Sequence, residues 1–93
     1  MIVGVMRVEL ALFDARTLKD KRQVIQSARQ RLRNAFNVSV AEVEHLDSPK
    51  RCTLGLALVC NESRPVHAQL DKMIELLRAS PGLSLLDYER ELL

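Results

Sequence analysis

The sequence has few of the residues from which catalytic and cofactor sites are usually built. It contains two histidines, two cysteines and three glycines, and it has no tryptophan. His45 and His67 stand far apart, and no CxxC, HxxxH or HExxH spacing occurs, which argues against a metal site. The glycines are dispersed, so there is no glycine-rich loop to cradle a phosphate. We therefore predict no catalytic, cofactor or metal site, and a protein that is not an enzyme.

Long hydrophobic runs are also missing. No window approaches the ~18 consecutive apolar residues of a membrane span, and Arg7 and Glu9 interrupt the apolar amino terminus. Cys52 and Cys60 fall in one expected strand, about 26 Å apart at about 3.3 Å per residue, too far to form a disulfide with each other. Unpaired cysteines, with no signal sequence and no membrane span, predict a cytoplasmic protein.

The length and composition fit one packed globular domain over residues 1–93. Hydrophobic residues make up 47% and charged residues 28%, which argues against the disordered, collagen-like and coiled-coil classes. Alternation of apolar and polar residues predicts four strands. The acids of the second strand, Glu42, Glu44 and Asp47, are interpreted as its solvated face. The expected strands cover residues 2–13, 38–47, 51–60 and 83–92.

Two helices are expected between these strands. The first begins with a capping box of Thr17 and Asp20 and ends near Ala35, where Asn37 can adopt a left-handed conformation. The second begins with Ser63 as its cap and ends before a proline–glycine pair. The order β-α-β-β-α-β, with two right-handed crossovers around one hairpin, predicts an α+β ferredoxin-like fold. Its four-stranded antiparallel sheet has both helices on one face.

The distinctive feature is a basic segment. From Arg16 to Arg33 there are seven cations and one anion, a charge of +6, which leaves 7 cations and 11 anions, or −4, for the rest of the chain. At 100° per residue, four of the cations form one stripe beside the apolar face of the first helix. We predict that this stripe binds an anionic partner, and a solvated helix face without a partner is the alternative. The stripe consists of Lys19, Arg22, Arg29 and Arg33, with the last two on the solvent margin of the helix.

The open face of the predicted sheet lacks the aromatic residues with which ferredoxin-like domains often stack RNA bases. The chain has three aromatic residues, and its third strand has none. Exposed apolar patches beyond a few hundred Å² are uncommon on monomers, so we expect this face to be covered, most simply by a second copy in a homodimer. Small apolar residues of the two central strands form the face: Val3, Val5, Ala57 and Val59.

Four segments together resemble a known family. They are the opening MIVGVMRVEL, LKDKR at residues 18–22, FNVSVAEV at residues 36–43 and ERELL at residues 89–93. They are similar to the small bacterial family of unknown function that includes the YlxP-like proteins, and the resemblance covers essentially the full length. It implies a ferredoxin-like fold and no catalytic residues. From the family's usual gene neighbourhood of translation-initiation and ribosome-maturation factors, it also implies a role near the ribosome.

The expected function is that of a noncatalytic cytoplasmic accessory factor that contacts RNA or a ribosomal particle. The four cations of the stripe would contact phosphates, which positions a protein on RNA without reading its sequence. The alternative is a protein-interaction module or structural homodimer whose basic helix meets an acidic protein surface. A small-ligand enzyme of the acylphosphatase sort would share the fold alone, because the arginine-bearing phosphate loop of that enzyme is missing.

Overall fold

Six elements follow one another in the predicted order in the computed structural model, which describes residues 1–93. They are β1 (Ile2–Ala11), α1 (Leu18–Ala35), β2 (Val38–Glu44), β3 (Arg51–Cys60), α2 (Ser63–Arg78) and β4 (Ser84–Leu92). The strands form one antiparallel sheet in the order β2-β3-β1-β4, so β2 and β4 are its edges. Both helices cover the same face of the sheet. The α+β ferredoxin-like fold is confirmed.

The core lies between the sheet and the two helices. Alternate residues of β1 and β3 point into it, as their period of two predicts. Gly4 allows α2 to approach β1 closely, because a Cβ at this position would collide with Cγ1 of Val66. No helix of the structure is long and apolar enough to cross a bilayer.

One of the two predicted helix caps is present in the structure and the other is not. At α1 the capping box forms: Asp20 N donates to Thr17 Oγ1 at 3.1 Å, and Thr17 N donates to Asp20 Oδ2 at 3.1 Å. The prediction that Ser63 caps α2 is wrong, because Ser63 is the first helical residue and Glu62 precedes it without a side-chain capping bond. Pro65 stands in the first turn of α2. It does not distinguish Glu62 from Ser63 as the cap, because a proline is tolerated throughout the first turn, where the N–H groups have no intrahelical partner.

Three connections differ from the prediction. β1 ends at Ala11, two residues before its predicted end. α1 ends at Ala35 as expected, but Phe36 is extended and Asn37 does not adopt the left-handed conformation. His45 is the residue other than glycine that has a positive φ, 62°, and it ends β2 at Glu44. The predicted strand end at Asp47 is therefore three residues too late, because left-handed backbone cannot continue a strand.

A break in register separates the acids of β2. Glu42 lies opposite Leu54 and Glu44 lies opposite Thr53, so the pairing with β3 shifts between the two glutamates. Glu42 faces α1 because it stands two residues after the buried Val40, and the bulge then turns Glu44 towards the open face of the sheet. The interpretation of both residues as one solvated strand face is wrong, because strict alternation does not allow for the extra residue.

Candidate nucleic-acid interface

The basic stripe of α1 borders a shallow groove between this helix and the edge strand β2. The groove has a volume of about 290 Å³, and three of the four predicted contact residues line it. Lys19, the fourth, is exposed on the first turn of α1 but does not line the groove. The polar residues of the groove are Arg22, Gln26, Arg29, Gln30, Arg33 and Glu42.

The cations of the stripe have no carboxylate partner. Arg22 and Arg33 are exposed, and neither they nor Lys19 form an ion pair. Asp20 is the one acid of α1, and its carboxylate accepts hydrogen bonds from the backbone N–H groups of Arg16 and Thr17. These bonds hold the pKa of Asp20 below its ordinary value. The positive charge of the stripe is therefore available to a partner.

Arg29 differs from the other members of the stripe. Its Nη2 donates to the backbone oxygen of Val40 on β2 at 3.2 Å, and its Nε is buried. The prediction that Arg29 lies on the solvent margin is wrong, because the side chain folds over the edge of the sheet and bridges α1 to β2. Arg29 thus holds the two sides of the groove together.

Lys21 is the residue that the sequence reasoning missed. Lys21 is not a member of the predicted stripe, and it is only 1% exposed. Its Nζ donates to the backbone oxygens of His45 at 2.6 Å and Ser48 at 2.7 Å, and it pairs with Glu42 Oε2 at 2.5 Å. Lys21 therefore attaches the β2–β3 turn, which contains the left-handed His45, to the buried face of α1.

A signal for this burial is present in the sequence. Lys21 stands four residues before Ile25 and seven before Ala28, which is the spacing of one helix face, and both of these residues are buried. Lysine is usually exposed to solvent because of its charge, but the position of Lys21 is on the face of the helix that packs against the core. A lysine at a core position needs several polar partners, and here the turn and Glu42 supply them.

On the opposite face of the sheet, Glu9 is the centre of a second polar cluster. Thr53 Oγ1 donates to Glu9 Oε2 at 2.7 Å, and Arg7 Nε donates to Glu9 Oε1 at 3.3 Å. The Thr53 hydroxyl, with a further contribution from Arg7, holds the pKa of the Glu9 carboxyl below its ordinary value. Arg7 also pairs with Glu44. The charge of Arg7 is therefore divided between two carboxylates.

The remaining reactive side chains are not gathered into a site. Burial raises the pKa of the Cys52 thiol to about 12, so this thiol is protonated and unreactive at neutral pH. No group of three or more His, Cys, Asp or Glu residues lies close enough together to hold a metal ion. The expectations that the protein is noncatalytic and that it forms a homodimer stay predictions.

Comparison with known proteins places the chain in a family. The model of a family described as "Protein of unknown function (DUF503)" matches residues 3–90. The chain belongs to this family. It is also 29% identical over 82 residues to the uncharacterized protein YlxP of Bacillus subtilis (strain 168). The aligned residues cover 88% of this chain and 89% of that relative. The family expected from the sequence is confirmed, and neither description names a partner or a reaction.

In this DUF503 chain, two of the segments that carry the resemblance meet at the groove. LKDKR begins α1 and contributes Arg22 to the groove, while FNVSVAEV leads into β2 and contributes Glu42. The ion pair of Lys21 and Glu42 joins the segments directly. Two of the segments that suggested the family therefore each supply a residue of the candidate interface.

Proposed function

We propose that this protein is a noncatalytic cytoplasmic accessory factor that contacts the phosphates of structured RNA, free or in a ribosomal particle, through α1. The observation that carries the proposal is that most cations of α1 are not paired with a carboxylate. Five of its six cations have no carboxylate partner, and three of these five border one groove. A helix with a structural role alone would usually alternate such cations with glutamates to relieve their mutual repulsion.

The length of the stripe suits an RNA backbone. Lys19 and Arg33 are fourteen residues apart, which is about 21 Å at about 1.5 Å per helical residue. A nucleic-acid strand carries one phosphate per about 3.4 Å of duplex axis, so about four contacts fit along the stripe without crowding. Arginine suits this purpose because its planar guanidinium group can bind two phosphate oxygens at once.

The expected mode of binding does not depend on the RNA sequence. Arg22 and Arg33 are long, exposed cations, and the stripe contains no aromatic residue on which a base could stack. Contacts to phosphates position a protein, whereas contacts to base edges specify a sequence. We therefore expect similar affinities for unrelated structured RNAs of equal length.

The decisive variant is Arg22→Gln with Arg33→Gln. Both side chains are exposed and unpaired, whereas changing Arg29 would also remove its bond to β2. With about four phosphate contacts, the logarithm of the affinity should fall with the logarithm of the salt concentration at a slope of roughly −3. The double variant should weaken binding to several unrelated RNA hairpins alike and reduce that slope by about one and a half. Fluorescence anisotropy titrations at several salt concentrations measure both quantities.

A matched control is available on the other helix. Arg64→Gln with Lys72→Gln makes the same change of charge at two exposed, unpaired positions of α2. This control should leave the salt slope within about half a unit of that of the original protein, because those cations lie outside the stripe. An equal loss in both double variants would mean that net charge alone governs binding, which contradicts a site on α1.

Competition separates RNA from an acidic protein partner, because both give salt-sensitive binding. The protein should sediment with ribosomal particles at low salt and be released at high salt. An excess of unrelated structured RNA should also displace it, while polyglutamate of equal total charge should displace it much less. If the purified protein binds no RNA at low salt and the Arg22/Arg33 variant still associates with ribosomal particles, the proposal is wrong. The interaction module with an acidic partner would then replace it.

A further inference from the structure

The face of the sheet that points away from the helices contains a trough of about 530 Å³. Its floor is made of small side chains on the three strands β2, β3 and β1, and Val43 lies over Gly55 at one end. Arg7 of β1 also lines the trough, and its ion pair with Glu44 of β2 crosses β3 at one end of the floor. The floor residues are Ser39, Ala41, Gly55, Ala57 and Val5.

One long side of the trough is acidic. Glu89 and Glu91 of β4 are exposed, lie opposite Arg7 and Val5 of β1, and take part in no ion pair. Asp87 extends the same row, opposite Glu9. Arg7 does not neutralise this row, because it pairs with Glu9 and Glu44. The trough thus joins an apolar floor to unpaired negative charge.

The charge of this face is opposite to that of α1. The open face carries five carboxylates and two guanidinium groups, a net charge of 2 − 5 = −3, whereas the whole chain has a net charge of +2. Such a face repels RNA and attracts cations. The charged residues counted are Glu9, Glu44, Asp87, Glu89, Glu91, Arg7 and Arg51.

We propose that the open face binds a basic amphipathic helix of a partner protein. The apolar ridge of that helix would lie along the small-residue floor, and lysine or arginine residues on its flank would pair with Glu89 and Glu91. The site is on the opposite side of the sheet from α1, so this inference does not rest on the proposed contact with RNA.

The dimensions of the floor match one helix. Three neighbouring strands at about 4.8 Å spacing give a floor about 10 Å wide, which equals the diameter of a helix of about 10–12 Å with its side chains. From Ser39 to Val43 the floor is four residues long, about 13 Å, which corresponds to somewhat more than two helical turns. Ala41 and Ala57 allow the backbone of the incoming helix to approach closely, whereas the side chain of Val43 already fills the space above Gly55.

A second copy of this chain fits the face less well. Two open faces pressed together would bring two surfaces of the same negative sign into contact, and like charges facing each other oppose association. The basic stripe of another copy cannot serve as the incoming helix either, because the apolar side of α1 is buried in its own core. Charge complementarity therefore favours a basic partner over a homodimer.

Binding of designed peptides tests the inference directly. The probe is a fluorescent helical peptide of about 14 residues, with a leucine and alanine stripe flanked by lysines, and its twin has glutamate in place of each lysine. The lysine peptide should bind the full chain and the glutamate peptide should not. Glu89→Gln with Glu91→Gln should weaken binding by about three- to tenfold, because two exposed ion pairs are lost. Ala57→Arg should abolish binding, because it places bulk and a cation on the floor.

The controls separate this site from general acidity. Glu62→Gln with Glu75→Gln removes the same charge at exposed positions on the helix side, and it should leave peptide affinity unchanged. Equal binding of both peptides, or equal weakening by the two double variants, would overturn the proposal. It would also be overturned if sedimentation showed a dimer that Ala57→Arg dissociates, because a second copy would then be the occupant.

Discussion

Replacing Lys21 with methionine tests the role of the one buried cation. Methionine has a similar length and fills the same space, but it removes the ammonium group that binds His45 O, Ser48 O and Glu42. Glu42, whose side chain is 19% exposed, then loses its counterion in a poorly solvated position. Removing one partner of a buried ion pair typically costs about 3–5 kcal/mol, which is a large part of the stability of a domain of this size.

The double variant Lys21→Met with Glu42→Leu separates the ion pair from the carbonyl bonds. Because no uncompensated charge remains, we expect the double variant to be more stable than Lys21→Met alone, by about 1–3 kcal/mol. A deficit of about 1–3 kcal/mol relative to the original protein should persist, since His45 O and Ser48 O lose a donor in either variant. The β2–β3 turn should consequently show faster amide hydrogen exchange in both variants.

Urea denaturation at neutral pH, followed by circular dichroism, measures these differences. Lys19→Met is the matched control, because Lys19 is exposed on the same helix and should change the free energy of unfolding by no more than about 0.5 kcal/mol. A Lys21→Met variant within about 1 kcal/mol of the original protein would refute the reasoning, since a lost buried ion pair costs more than that. A double variant less stable than Lys21→Met would refute it too.

Four further substitutions test other parts of the fold. Gly4→Ala should destabilise the protein by about 1–3 kcal/mol in urea denaturation, because the new Cβ collides with Val66. Thr17→Ala should cost about 1 kcal/mol through loss of the capping box, whereas Ser63→Ala should cost less than half of that because Ser63 makes no capping bond. Acid should weaken the protein through Glu9, whose lowered pKa in the folded state means that its contribution is present above the unfolded pKa. That contribution is lost as the pH falls through the pKa of Glu9 in the folded state. In urea unfolding experiments between pH 6 and pH 2, the variant Glu9→Gln should therefore lose less stability below about pH 4.3 than the original protein does.

Much of the fold follows from local patterns. The alternation of apolar residues in β1 and β3 and the capping box at Thr17 each depend on neighbours in the chain, and the structure confirms both. The stripe of Arg22 and Arg33 was predictable for the same reason, because positions on one helix face follow from 100° per residue. The family also followed from the sequence, through segments spread over the whole chain.

Other features depend on contacts between distant residues. The bulge after Glu42 depends on the register between β2 and β3, and it is the reason that Glu44 does not face α1 together with Glu42. The open face of the sheet was likewise only partly predictable from the sequence. Its small residues were predictable from alternation, but the row of Glu89 and Glu91 beside them depends on the register between β1 and β4.

The sequence by itself determined the order of the elements, the α+β class, the family and the basic face of α1, because periodicity, capping and composition are local properties. Only the tertiary structure decided what each cation does. Lys21 and Arg29 belong to the same basic segment as Arg22, but one is buried under the helix and the other is bonded to β2. The physical reason is that a charge is free or occupied according to the oxygen atoms within about 3 Å of it, and residues far away in the chain supply those oxygens.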